Sequence, residues 1–225
     1  MREEYRYTRP AEIETNSMKI IEAEMKERGI DCPNENLAVV KRVIHTTADF
    51  DYGENLRFTQ GAVTKATKAL KAKDVTIITD TNMTLAGISK PTLEKLSSGA
   101  VCYMADPKIR EEAKEKGTTR AYASMMRGGE EYPKGIFVSG NAPTALIALS
   151  EMIRDGLRPT LVIGVPVGFV NVVESKEEIF EVCSENDVPA IVAFGRKGGS
   201  NVAAAICNAL LYGAIDAIEP HKRGW

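Results

Sequence analysis

The chain holds two histidines, and only one of them sits among residues that suggest a site. His45 lies in the stretch "RVIHTTAD", residues 42–49. Imidazole changes charge nearest neutrality, so one well-placed histidine can donate or accept a proton there. Residue types alone equally allow His45 to close a helix for packing reasons. His221, in "EPHKRGW", reads as a tail residue with no catalytic role. A second signal is "GRKGGSN", residues 195–201. A glycine-rich turn that enters a helix presents backbone N–H groups at the positive end of the helix dipole. Gly198 and Gly199 permit close approach, and Arg196 and Lys197 add two cations. Together they suit a carboxylate or phosphate, the alternative being a tight turn with two solvated bases. The turn is neither G-x-x-x-x-G-K-[ST] nor G-x-G-x-x-G, so no dinucleotide is indicated.

"SGNAPTAL" (139–146) repeats the theme. Pro143 suits a first helical turn, and Asn141 either caps that helix or hydrogen-bonds a ligand. "GTTRAYASMMRGG" (117–129) supplies Arg120 and Arg127 with little neighbouring acid. Arginine is the preferred clamp for carboxylates, an exposed helical face being the competing reading. No H-x-x-x-H or histidine–carboxylate cluster is present, which argues against a catalytic metal. No G-x-S-x-G elbow appears either. Several anion-binding turns and one acid/base group describe a site for a polycarboxylate small molecule.

The elements that must position these residues follow from apolar periodicity. A helix is expected over Ala11–Arg28, ending at Gly29, with Ile13, Ser17, Ile20, Ile21 and Met25 at helical spacing. A second is expected from an N-cap at Asn34, with Leu37, Val40 and Ile44 on one face and His45 in its last turn. A buried strand over Leu37–Ile44 competes, because Val39, Val40, Val43 and Ile44 favour strands. After a polar loop, "DFDYGENLRFTQG", a helix spans Ala62–Ala72. From there short apolar strands (74–80, 99–106, 135–140, 160–167 and 189–195) alternate with helices. The helices begin at Pro107, near Ala142, around Glu174 and near Asn201. This alternation predicts an α/β fold in three layers, a mostly parallel sheet flanked by helices. Residues 1–225 are expected as one domain, the first ~60 a helical elaboration and 213–225 a C-terminal tail. In such a sheet, ligands bind beyond the carboxyl ends of the strands.

Thirty-one acids against 29 bases leave a net charge of −2, which argues against a general nucleic-acid surface. No apolar run approaches a membrane span, and "MREEYRYTRP" lacks the apolar core of a signal peptide. Cys32, Cys102, Cys183 and Cys207 form no C-x-x-C pair and suit reduced thiols in a cytoplasmic protein.

Five segments together resemble the precorrin-8X methylmutase (precorrin isomerase) family of cobalamin biosynthesis. They are "IHTTADFD", "DTNMTLAGI", "GNAPTAL", "VIGVPVGFVNVVESKE" and "GRKGGSNVAAAICNALL". The likeness runs from about Ile13 to Tyr212, and its specificity lies in the order and spacing of the pieces. It implies an α/β homodimer with sites near the subunit interface and no added cofactor. It also implies a methyl shift from C-11 to C-12 of a corrin-type macrocycle, giving hydrogenobyrinate or its cobalt counterpart cobyrinate. By the same resemblance His45 is the catalytic histidine, and Ser17, Arg120, Asn141 and the turn Lys197, Gly198, Gly199 touch the substrate. A helix end at His45 would favour its protonated form. A non-catalytic corrinoid-binding or hand-over protein is the alternative from another class. A Rossmann-like enzyme on a phosphorylated metabolite is a third, resting on the glycine-rich turn alone.

Overall fold

The computed structural model describes residues 9–73 and 75–223. The start of the N-terminal stretch, residue 74 of the expected strand and the last two tail residues lie outside this range. In chain order the elements are α1 (Pro10–Glu27), α2 (Asn34–Thr47), α3 (Tyr52–Asn55), β1 (Leu56–Phe58), α4 (Ala62–Lys71) and β2 (Thr76–Thr79). Next come α5 (Asn82–Gly87), α6 (Lys90–Lys95), β3 (Gly99–Val101), α7 (Pro107–Glu115), α8 (Arg120–Glu131) and β4 (Ile136–Ser139). The chain ends with α9 (Pro143–Arg154), β5 (Leu161–Gly164), α10 (Val172–Glu185), β6 (Ala190–Ala193), α11 (Ser200–Ala214) and a 3₁₀ turn, Pro220–Arg223.

The six strands form one sheet in the order β1-β6-β5-β4-β2-β3. Every pairing is parallel except that of β1 with β6. Alternation along each strand divides the core. Ile77, Ile136, Val138, Leu161, Ile163 and Ile191 face α2, α4 and α11. Ile78, Phe137, Val162, Ala190 and Val192 face α8, α9 and α10. The four inner strands β2, β4, β5 and β6 are buried on both faces, so they are almost continuously apolar. Each fully buried aliphatic or Phe side chain contributes about 1.5–3 kcal/mol. The alanine-rich α11 is itself buried, with α2 packed on it.

Three expectations need correction, and one segment forms elements not expected from the sequence. The first ~60 residues are not wholly helical, since Leu56–Phe58 adds an antiparallel edge strand. Three residues with Arg57 in the middle are too short to register as an alternating pattern. Asn34 is the first helical residue of α2, and Pro33 stands at the cap position. The "DTNMTLAGI" segment forms the short helix α5, followed by α6. The residues after Ala214 do not trail away: Ala217 and Pro220 are buried, and Arg223 reaches back to Glu14 on α1 at 2.7 Å.

Candidate active site

His45 stands in the last turn of α2. The helix stops because Ala48 adopts a left-handed conformation (φ 53°) and its N–H caps the Ile44 carbonyl at 2.7 Å. Thr46 and Thr47 donate their hydroxyls back to Arg42 and Val43 carbonyls, the local bonding that suits these residues to helix ends. The imidazole is exposed at an open cleft of about 280 Å³. Ser17, Ile20, Ile21 and Glu24 line it from α1, with Ile44, Ala48 and Phe50 from α2 and its loop. The Ser17 hydroxyl donates to the Ile13 carbonyl at 2.9 Å.

The helix end does not hold His45 protonated. Partial burial pushes its pKa below the ordinary value, and the Arg42 charge pushes the same way; Glu14 opposes them and Arg223 adds to the lowering. All of these influences except that of Glu14 favour the neutral ring in the free protein.

The loop beyond α2 is tied to the glycine-rich turn after β6. Lys197 Nζ lies 2.6 Å from carboxylate oxygens of both Asp49 and Asp51. These two hydrogen bonds raise the Lys197 pKa well above the ordinary lysine value. Lys197 is thus a strut, its charge already matched, and not the free cation the sequence suggested. Arg196 remains free of any acid among the described residues, with its guanidinium 5.5 Å from the ring centre of the exposed Phe169. Gly198 is needed for close approach: a β-carbon there would strike the Val165 carbonyl oxygen and lie 2.7 Å from that of Pro166. Gly199 (φ 133°) donates its N–H to Val165 at 2.8 Å and opens α11.

At the end of β2 the structure places a group whose role was not legible in the sequence. The Asp80 carboxylate is fully buried and accepts N–H bonds from Gly140, Asn141 and Ala142 at 2.7–2.8 Å, and the Ser139 hydroxyl at 3.3 Å. Burial pushes its pKa up, while the backbone donors favour the carboxylate. The strand order reverses between β2 and β4, where ligands commonly sit in open parallel sheets. Here the protein's own carboxylate fills that crevice and takes the N–H groups that "SGNAPTAL" seemed to offer a ligand. What remains available is the Asn141 side chain, which is exposed and does not cap α9.

Arg120 opens α8, exposed, with one long contact of 3.4 Å to the Met104 carbonyl. A hydrogen bond of 2.7 Å between Thr119, the cap of α8, and Thr144 in the first turn of α9 brings Arg120 and Asn141 to the same end of the fold. Arg127 is different, since Glu112 at 2.8 Å and Glu131 at 3.4 Å neutralise it. It joins α7 to α8 and is not a free clamp. Ser17 and His45 thus share one cleft, and Lys197 links its rim to the Gly198–Gly199 turn. Arg120 and Asn141 form a second group at the ends of α8 and β4. Between the two groups, Thr81 and Ser200 hydroxyls meet at 2.8 Å, and a β-carbon on Gly140 would lie 3.0 Å from Ser200 Cα. No helix among the described residues is long and apolar enough to cross a membrane. Cys183 and Cys207 are buried free thiols, each pushed by burial up to about 12, and Cys32 and Cys102 are free and half-buried.

Comparison with known proteins fits this geometry. Residues 12–213 match the family model described as precorrin-8X methylmutase. The cobalt-precorrin-8 methylmutase of Salmonella typhimurium is 44% identical, over 90% of this chain and 95% of that protein. That of Priestia megaterium is 40% identical, over 89% and 87%. The crystal structure of precorrin-8x methyl mutase from Thermus thermophilus has a TM-score of 0.78 at 39% identity, covering 91% of this chain and 98% of that one. The fold, the motifs spread along the chain and these matches agree: the chain belongs to the precorrin-8X methylmutase family of isomerases.

Proposed function

We propose that the protein moves a methyl group from C-11 to C-12 of cobalt-precorrin-8, giving cobyrinate, with His45 as the catalytic group. The observation that carries this reading is the cleft shared by His45 and Ser17, one rim of which is tied by Lys197 to a glycine-rich turn. The two relatives named above that support the cobalt form carry it in their names. An intramolecular rearrangement needs no second substrate, and the proposal includes no added cofactor. We assign Ser17, Arg120, Asn141 and the turn Lys197, Gly198, Gly199 to substrate contact. Lys197 acts by fixing the turn, and Arg196 supplies its available charge.

His45 donates a proton to the conjugated macrocycle, which makes the migration terminus more electron-poor. It takes the proton back once the methyl has moved, so the isomerisation consumes none. The free imidazole is held neutral by partial burial and Arg42, so the bound state has to favour imidazolium. The substrate does this itself: a carboxylate bound beside the ring favours its charged form. A cleft of about 280 Å³ is small for a corrin macrocycle. A second copy of the chain completes it. The exposed apolar residues Val167, Phe169 and Val170, beside the β6 turn, are the surface proposed for that contact. The enzyme is proposed to work in the cytoplasm.

The test is His45→Ala. Turnover of cobalt-precorrin-8, followed by absorbance, should fall by about 10²–10⁴-fold, the usual contribution of a general acid. The variant should still bind the product. Unchanged turnover removes His45 from the mechanism. A wild-type protein that binds the corrinoid but converts none of it would instead favour a hand-over protein. In wild type, an NMR titration should find the His45 pKa below about 6.5, the ordinary value, and higher once product is bound.

A further inference from the structure

Lys176, in the middle of α10, is fully buried and has no carboxylate beside it. Its ammonium donates to two carbonyls of the glycine-rich turn, Gly195 and Lys197, both at 2.8 Å. Burial alone pulls its pKa down to about 8. An ammonium without a counter-ion is costly to bury, so its position calls for a reason. The two carbonyls supply one. In a planar trans peptide the C=O of one residue and the N–H of the next point in opposite directions. Drawing the carbonyls of Gly195 and Lys197 inward therefore turns the N–H groups of Arg196 and Gly198 away from the interior. Among the described residues neither N–H has an acceptor, whereas the N–H of Gly199 is spent on Val165. Arg196 and Lys197 are exposed and Gly198 is half-buried, so the outer side of the turn is open to solvent. Two N–H groups of one turn facing outward can take an anion between them, and an uncompensated cation beneath strengthens the site.

We infer that Lys176 is the positioning residue of the active site: it orients two peptide planes so that the N–H groups of Arg196 and Gly198 receive one carboxylate of the substrate, and its own charge answers that carboxylate through the turn. The inference rests on the corrinoid reading above and deepens it. Lys176 touches no substrate atom. It acts on affinity for the carboxylate form, not on the methyl shift.

The experiment compares wild type and Lys176→Met for binding of the product, a corrinoid polycarboxylic acid, and of its neutral methyl ester. Loss of charge-assisted hydrogen bonds should weaken Lys176→Met for the acid by about tenfold or more. Ester affinity and the saturated turnover rate should each stay within about threefold of wild type. Equal binding of the acid by both proteins overturns the inference, as does equal weakening for acid and ester, which marks a merely structural lysine. If Lys176→Met does not fold, amide NMR of the wild-type protein decides. The Arg196 and Gly198 N–H signals should move on addition of the acid and not of the ester. Shifts elsewhere around the cleft with none at these two amides overturn it. Wild-type protein that binds neither compound removes the corrinoid reading itself, and the role of Lys176 with it.

Discussion

At the scale of single residues, what separates the candidate site from its surroundings is which charges are already matched. Lys197 and Arg127 look like ligand-binding groups in the sequence, yet each is committed to the protein's own partners, as is the buried Asp80 that the sequence did not single out. Arg120 is not: it lies exposed at the start of α8 with one long contact to a carbonyl. The two arginines of "GTTRAYASMMRGG" should therefore behave differently. Arg120→Gln removes a charge-assisted contact worth about 1.5–3 kcal/mol, so KM for the corrinoid should rise by about ten- to a hundredfold. Its kcat should change much less, because the contact is made equally in ground and transition states. Arg127→Gln should leave KM within about twofold and instead loosen α7 from α8, its surface pairs contributing roughly 0–1 kcal/mol. Steady-state kinetics of the two variants decide, and equal effects on KM would remove Arg120 from the binding set.

Elements show where sequence reasoning succeeds. Strands β2, β4, β5 and β6 are buried on both faces, so continuous apolar runs mark them, and the helices between them carry clear periodicity. His45 at the end of α2 was legible for the same reason: Leu37, Val40 and Ile44 set the face, and its last turn falls where the spacing puts it. The short elements β1, α5 and α6 were not legible, since three to six residues hold less than two helical turns or a full strand alternation. Nor were the long-range ties. Nothing near Asp80 announces that N–H groups some sixty residues later will converge on it, and nothing near Lys197 announces Asp49. The glycine-rich turn lies between these cases. Its glycines were visible, but the reason for Gly198 is the Val165 and Pro166 carbonyls on the neighbouring β5 connection. Gly198→Ala forces one connection off the other and should destabilise the protein by about 1–3 kcal/mol. Displacing the turn should also raise KM for the corrinoid more than it lowers kcat. Thermal melts and kinetics measure both, and a variant with wild-type KM would show that the turn does not hold substrate.

Across the whole molecule, α1, α2 and the C-terminal 3₁₀ turn are joined through one carboxylate, on the helix that packs against the one carrying His45. Glu14 on α1 accepts hydrogen bonds from Arg42 on α2 and from Arg223 in the C-terminal turn. Arg223 also lies 4.0 Å from the centre of the Tyr212 ring and donates to the Ala217 carbonyl at 2.9 Å. One carboxylate therefore holds together α1, α2 and a segment beyond the matched family region, with all three side chains largely buried. Burial alone would raise the Glu14 pKa, but the bonds and charges of Arg223 and Arg42 outweigh it and hold the group below its ordinary value. A carboxyl group with a depressed folded-state pKa adds stability above its unfolded value of about 4.3, and that stability is lost as pH falls through the folded value. Glu14→Gln should thus cost about 1.5–3 kcal/mol at pH 7, where the charged pairing is complete. A chain of this size loses about 2–4 °C in Tm per kcal/mol. As pH falls through the depressed folded-state value and wild-type Glu14 becomes protonated, the two melting curves should converge. The same substitution leaves Arg42 and Arg223 unopposed beside His45, and Glu14 is the group that raises the His45 pKa. The imidazole should titrate at lower pH in Glu14→Gln than in wild type, and the basic limb of the turnover profile should move down with it. A stability loss with an unmoved His45 titration would mean that the cluster braces α1 and the C-terminal turn without tuning the imidazole. A shift in both would tie the fold of the C-terminal segment to the proton affinity of His45.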